Sequence, residues 1–414
     1  MCNLAKSEAE QAKTSDAHAG RPIRPGAHTS PVPPAAGLKN EGRRSSVKEQ
    51  FLSVLERGIG SAASFVQLRE LRGQMQEHVL ASLSSDDSPE NVVRLYEMLN
   101  HLHDGLVRRT IALSEERLAE NGRIAPPVPY AFVLFGSGGR NERTLWSDQD
   151  NGIIYGTAEG NADPSVRKAA GLYFSELGKA VSEGLQAVGY PPCDGKVVCA
   201  NPDWTQPADE WRQTLNRWFD DPVFENVRYL LIAADMRFLY GDADLARQWK
   251  AHYMRKTNET PSILKRMLKN TLHHKVTLNV FGQLIRERYG QYSGGVEIKY
   301  GAYVPMVNGI RHLTLLIGVQ ASSTLERIDA LETAGLIPSD QLQHWKEAFI
   351  LLLKMRLLTD HREEDGLLSS NGIIPRERLT KRTIGELKRC LRAGRRLQRS
   401  VANIVEHFHS GDRL

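Results

Sequence analysis

Cysteine is scarce in this chain of 414 residues: Cys2, Cys193, Cys199 and Cys390 are too few and too scattered for a disulfide framework. Cys193 and Cys199 lack the spacing of a zinc pair and have no His or Cys partner nearby in sequence. So little cysteine points to a reducing cytoplasm. No run of about 18 apolar residues occurs, which argues against a membrane span. The first twenty residues contain no apolar core of the kind a secretory signal carries. Aromatics make up only 7% of the chain, and none interleaves with the basic stretch from Arg376 to Ser400. That stretch holds ten basic and two acidic residues. It reads as a solvated helix face over a buried stripe of Leu379, Ile384, Leu387, Leu391 and Leu397, or else as a surface for an anionic partner. The missing aromatics disfavour nucleic acid as that partner. There is no Gly-Lys-Ser/Thr of a Walker A loop and no correctly spaced dinucleotide fingerprint.

What is present is a mostly helical chain with one short interruption. Residues 1–45 are rich in Pro, Gly, Ala, Ser and charge, the composition of a disordered tail. Residues 46–122 carry apolar residues at helical spacing (Phe51, Val54, Leu55, Ile59; Val93, Leu95, Leu99, Leu102), and "SDDSPENVVRLY" is a helix start. Residues 123–270 change character. "YAFVLF" is a short buried strand, "NGIIYG" a second and "GKVVCAN" a third, with the helix "PSVRKAAGLYFSELGKAVSEGLQAVG" before it. After Pro207 the pattern is helical again, and residues 271–414 read as an almost wholly helical second domain. The expected fold is mixed and predominantly α: a small α/β domain flanked by a helical N-terminal region and a helical C-terminal domain.

The interruption contains "FGSGGRNERTLWSDQDNGIIYG", Phe135 to Gly156. Asp148 and Asp150 stand two apart. At the start of a strand they face the same way, with Cα atoms roughly 6.5–7 Å apart. Two carboxylates so close repel each other unless a cation neutralises them. Mg²⁺ (or Mn²⁺), which takes one or two carboxylates plus substrate phosphate oxygens, suits them. "GSGGR" follows the first strand directly. Gly136, Ser137 and Gly139 can bring backbone N–H groups and a hydroxyl close to a phosphate, and Arg140 adds a planar donor. A phosphate cradle followed by a metal-holding Asp-x-Asp is what NMP transfer from an NTP requires.

The sequence "GSGGRNE" followed by "SDQDNGII" resembles the DNA polymerase β-type nucleotidyltransferase superfamily, in the branch related to bacterial PII uridylyltransferase. It is similar there to nucleotidyltransferases of bacterial signal-transduction proteins, which often carry CBS and cyclic-nucleotide-binding domains. The match lies at Gly136, Ser137, Gly139, Arg140, Glu142, Ser147, Asp148, Gln149, Asp150 and Asn151. "LHDGLVRR" (102–109), "NPDW" (201–204), "ADMRFLYGD" (234–242), "GAYVPMVNGIRHLTLL" and "STLERIDALETAGLI" resemble further family segments. The resemblance covers roughly residues 47–410 and leaves no room for the regulatory modules. It implies a cytoplasmic, Mg²⁺-dependent transferase whose partners are an NTP and an acceptor, a regulatory protein of the PII type among the candidates. Small-molecule and RNA acceptors, and a catalytically degenerate nucleotide-binding regulator, stay open.

The resemblance also implies a third carboxylate on a later strand. Asp235 is the candidate, although Phe224, Val227, Leu231 and Ala234 set a helical pattern around it; Asp194 and Asp203 are rivals. Glu142 is expected to hold Arg140 or the turn. Gln149 and Asn151 are expected to order the aspartates. Lys299 and Arg311 are candidates for phosphate contact or for ordinary salt bridges. Asp104 and Arg108 are expected to pair one helical turn apart, and His273 and His274 to lie on a helix face.

Overall fold

Three helices precede any strand: α1 (Glu41–Ser61), α2 (Phe65–Ser85) and α3 (Pro89–Glu120). The computed structural model describes residues 41–122, 125–157, 164–272, 277–278, 282–364 and 366–407. Most of the expected N-terminal tail, and His273 and His274, lie outside them; residues 41–45 form the first turn of α1. Both α2 and α3 start on a capping serine. Ser64 accepts from the Gln67 amide, and Ser88 accepts from Asn91, with Pro89 in the first turn of α3. These caps satisfy amides that a helix start leaves without partners.

The chain then enters the sheet: β1 (Tyr130–Leu134), the one-turn helix α4 (Gly136–Gly139), β2 (Asn151–Tyr155), α5 (Pro164–Val188), β3 (Thr205–Pro207), α6 (Ala208–Asp220), α7 (Phe224–Ala233) and β4 (Arg237–Gly241). The strand order is β3-β2-β1-β4. β1 is antiparallel to both β2 and β4, and β2 is parallel to β3. The two central strands are buried throughout, and their alternate residues face opposite cores. Tyr130, Phe132 and Leu134 join a core with α1, α2, α3, α5 and the C-terminal helices. Ala131, Val133 and Phe135 join a second core built with α6 and α7 and with α8 (Ala243–Glu259) and α9 (Ser262–Leu272).

Two sequence expectations fail here. The third strand is Thr205–Pro207, not "GKVVCAN". Val197, Val198 and Cys199 are buried as expected but run as turns, because a short apolar run reports burial rather than strand conformation. β4 was hidden behind helical periodicity. That periodicity ends with α7, and a turn at Ala234–Met236 leads into an edge strand whose burial does not alternate cleanly.

The C-terminal region is built on α10 (Val304–Leu316), buried from Val304 to Leu315 and entered through a π-turn at Lys299–Tyr303. Before it lies β5 (Val296–Glu297), and around it pack α11 (Thr324–Thr333), α12 (Ser339–Leu357) and α13 (Lys381–His407). The region is not wholly helical: the hairpin β6 (His361–Glu364) and β7 (Leu367–Ser370) and the strand β8 (Ile373–Ile374), paired with β5, lie between α12 and α13. On α13, Leu387, Leu391 and Leu397 are buried, so the basic stretch is the solvated face of a packed helix. No described helix is long and apolar enough to cross a membrane.

Candidate active site

The sheet topology brings three chain segments to one edge. β1 runs antiparallel to β2 and β4, so the end of β1 meets the starts of both: Leu134 is opposite Asn151 on one side and Arg237 on the other. The glycine turn leaves β1 at that edge, Asp148 and Asp150 lead into β2, and Asp235 precedes β4. The Phe135 amide donates to the Asp150 carbonyl (3.0 Å), tying turn and aspartate loop together.

Gly136, Ser137, Arg140, Asp148, Asp150 and Asp235 all line one cleft, together with Lys299 and Arg311 from the C-terminal region. Neither Asp194 nor Asp203 does; both are exposed. Gly136 adopts φ +51°, and a Cβ there would lie 2.4 Å from Asp150 Oδ2. Only glycine lets the turn back directly onto that carboxylate. Gly139 serves differently: it faces away from the cleft, and its Cβ would meet the Asp235 carbonyl at 1.9 Å. Gly136→Ala is therefore expected to displace Asp150 and weaken Mg²⁺-dependent nucleotide binding by roughly ten- to a hundredfold. Calorimetry checks this, and unchanged binding would show that the contact is dispensable. The first amides of α4 have no intrahelical acceptor, and Phe135 offers no side-chain cap.

Asp148 and Asp150 are half-buried. Burial, and then the neighbouring Asp148 carboxylate, push the Asp150 carboxyl up to about 7. Among the described residues no group of three or more His, Cys, Asp or Glu is arranged to hold a metal ion. Two adjacent hard carboxylates nonetheless fit a cation that completes its shell with substrate oxygens and water, as Mg²⁺ does. The sign of the pH dependence follows. A carboxyl raised in the folded state makes the metal-free protein lose stability as pH rises through 7, and a cation must displace that proton below 7. Mg²⁺ affinity is expected to rise about tenfold per pH unit below 7 and to level off above it. Titrations between about pH 5.5 and 8.5 measure this; a flat profile would remove Asp150 from the site.

Asp235 is 1% exposed and ringed by guanidinium groups. Arg140 and Arg311 both donate to Oδ2, and Arg311 Nε and Arg327 Nη1 donate to Oδ1, each at 2.9 Å. Burial opposes its charge, but Arg311, Arg140 and Arg327 overcome this and hold the carboxyl well below its usual range. Both oxygens are thus engaged, so Asp235 acts as an arginine anchor and lacks the free lone pairs of a metal ligand. Arg140 also donates from Nε to Glu142 Oε2 (2.7 Å) and from Nη2 to the Tyr303 hydroxyl (3.0 Å). Tyr303 in turn donates to Glu142, whose Oε1 accepts from the Thr324 amide (2.8 Å). Glu142 holds Arg140 as expected, and the cluster stitches the sheet edge to α10 and α11.

The loop from Glu142 to Gln149 is set by groups the motif alone does not reveal. Asn100 Oδ1 accepts from the Arg143 amide (2.9 Å), and His103 bonds the Tyr190 hydroxyl (2.6 Å) and the Thr144 carbonyl (3.2 Å). Asp104 accepts from Arg143 (3.0 Å) and from Arg237 (2.8 and 2.9 Å), while Arg108 donates to the Leu239 carbonyl. The expected Asp104–Arg108 pair gives way to this longer-range clamp. Gln149 Nε2 donates to the Ser182 and Tyr190 carbonyls, and Asn151 Oδ1 accepts from the Cys199 amide. Both fix the backbone beside the aspartates rather than bonding their carboxylates. The Ser370 amide donates to the Trp146 carbonyl, and Trp146 packs on His361 (4.6 Å), so the β6–β7 hairpin closes the cleft beside Asp148. Leu231, Ile232, Val304 and Val307 supply an apolar wall.

Lys299 lies in the cleft. Burial would lower its ammonium, but Tyr300 and the carboxylates of Asp148 and Asp150 outweigh this and raise it. Thr144, Asn308 and Arg356 line the same cleft and carry buried polar atoms without a hydrogen-bond partner. None of the three was legible as a site residue in sequence.

Residues 74–225 match the family model "Putative nucleotidyltransferase DUF294", and residues 261–405 match "Putative nucleotidyltransferase substrate binding domain". Together the two ranges take in well over half of the chain. The first begins within α2, upstream of the sheet, and includes the helix that clamps the aspartate loop. No curated protein matches the chain.

Proposed function

We propose that this chain, which carries the DUF294 nucleotidyltransferase domain followed by that family's substrate-binding domain, moves an NMP group from an NTP to an acceptor hydroxyl with release of pyrophosphate. The observation that carries the reading is the convergence of Gly136, Ser137, Arg140, Asp148 and Asp150 on one cleft walled by the second domain. The free amides of α4 and the Ser137 hydroxyl receive phosphate oxygens, and Arg140, held by Asp235 and Glu142, presents fixed positive charge. The apolar wall of Val304, Val307, Leu231 and Ile232 accepts the nucleobase. Mg²⁺ or Mn²⁺ held by Asp148 and Asp150 would neutralise charge on the departing pyrophosphate. The likeness of "GSGGRNE…SDQDNG" to PII-type uridylyltransferases supports a regulatory protein in bacterial signalling as acceptor.

A second reading has one observation in its favour. Asp235 is consumed by arginines, leaving two carboxylates in the cleft. This fits a nucleotide-binding regulator that no longer catalyses transfer. Incubation with each labelled NTP, Mg²⁺ and a lysate separates the two. Label on a protein, RNA or small-molecule fraction, lost in Asp148→Ala, supports transfer. NTP binding with no labelled product supports the regulator. An absence of NTP binding overturns both.

A further inference from the structure

We propose that Arg356 is an anion-binding residue of the cleft and that it receives the triphosphate tail of the donor nucleotide; this rests on the nucleotidyltransferase reading above. Arg356 lies in the last turn of α12, is 5% exposed, and faces the cleft that holds Asp148 and Asp150. Its Nε and Nη1 have no hydrogen-bond partner. The other two cleft arginines are engaged: Arg140 by Asp235, Glu142 and Tyr303, and Arg311 by Asp235 and Asn308. The nearby carboxylate of Glu297 accepts from the Tyr300 and Gly301 amides, both at 2.8 Å, and does not pair with Arg356. The guanidinium instead lies over the Tyr303 ring at 5.1 Å.

A buried guanidinium without an acceptor is costly in the empty protein. Such a cost is retained where a ligand repays it, and a planar fork of donors suits phosphate oxygens. The donor's tail is favoured over an acceptor's anion by position. Arg140 lies 5.8 Å from the centre of the same Tyr303 ring and donates to its hydroxyl, so Arg356 and the arginine of the glycine turn share Tyr303 as a neighbour. Arg356 thereby extends the phosphate side of the cleft from the second domain, and closing over a triphosphate joins the two domains through one ligand.

Calorimetry on the full chain, with inorganic tripolyphosphate, the preferred NTP and the matching nucleoside, tests this on wild type, Arg356→Met and Arg356→Lys. Arg356→Met is expected to weaken tripolyphosphate and NTP by roughly ten- to a hundredfold and to leave the nucleoside unchanged, with Arg356→Lys between. Without ligand, Arg356→Met should melt at or above the wild-type temperature, because it removes an unpaired buried charge. Unchanged tripolyphosphate and NTP affinity in Arg356→Met would overturn the inference while leaving the transferase reading intact. So would an equal loss for the nucleoside, a loss confined to the acceptor, or a lowered melting temperature of the unliganded variant. Failure of the wild type to bind any NTP would overturn the inference together with the reading it rests on.

Discussion

On the proposed transferase reading, Asp148→Ala is expected to reduce NMP transfer by on the order of a thousandfold or more, since a cation worth several kcal/mol of transition-state stabilisation would lose one of its two carboxylates. The fold should persist. Asp148 is half-buried at the cleft, and no described hydrogen bond or ion pair with another side chain is lost with it. Its removal also relieves the repulsion that helps to raise Asp150. The variant should therefore keep its melting temperature, and the Asp150 carboxyl should titrate closer to its ordinary value. This second readout separates loss of a metal ligand from general damage. Asp150→Asn should lose transfer to a similar degree. Asp203→Ala, at an exposed site away from the cleft, is the control and should behave as wild type. Transfer by Asp148→Ala within an order of magnitude of wild type would remove the pair from the mechanism.

The second large effect is on stability. Asp235→Ala leaves Arg140, Arg311 and Arg327 buried without their common counter-charge. Breaking a buried ion pair in this way costs about 3–5 kcal/mol. Denaturant unfolding should show a loss at the upper end of that range, because three cations are uncovered rather than one. Asp235→Asn, similar in volume but neutral, should lose nearly as much. An exposed pair offers the contrast: Arg167 with Asp209 and Glu210 should cost below about 1 kcal/mol when broken. The pH dependence has a definite sign. A carboxyl depressed in the folded state contributes stability that is present above its unfolded value near 4 and is lost as pH falls below it. Wild type should lose this increment on acidification, and Asp235→Asn should show a flatter acid limb. A cost for Asp235→Ala no larger than that of the surface pair would show that the cluster does not hold the domains together.

The cleft and its motif were thus legible to different depths. Gly136, Ser137, Arg140, Asp148 and Asp150 lie within fifteen residues, and the chemistry of phosphate and cations makes their spacing meaningful before any fold is known. The same local logic located the two central strands, the helix start at Ser88, and Leu387, Leu391 and Leu397 of the stripe on the basic C-terminal helix, while Leu379 and Ile384 are only half-buried. Local periodicity misled where burial and conformation part company, as at Val197–Cys199, and where an edge strand follows a helix, as at β4.

Asp235 marks the boundary between what pattern conveys and what packing adds. Its type and its place after the motif matched the expectation of a third carboxylate. Yet its partners come from positions 140, 311 and 327, and sequence spacing carries no information about which charges will converge across such distances. Arg356 and Tyr303 are similar: neither belongs to a chemical motif, and their meaning arises only because α10 and α12 pack against the sheet edge and bury them beside the aspartates. Short-range chemistry, encoded in neighbouring residues, announces the donor half of the reaction. Which buried charges in the cleft are cancelled, and which keep donors without a partner, is decided by long-range packing in a medium where every unpaired charge is expensive.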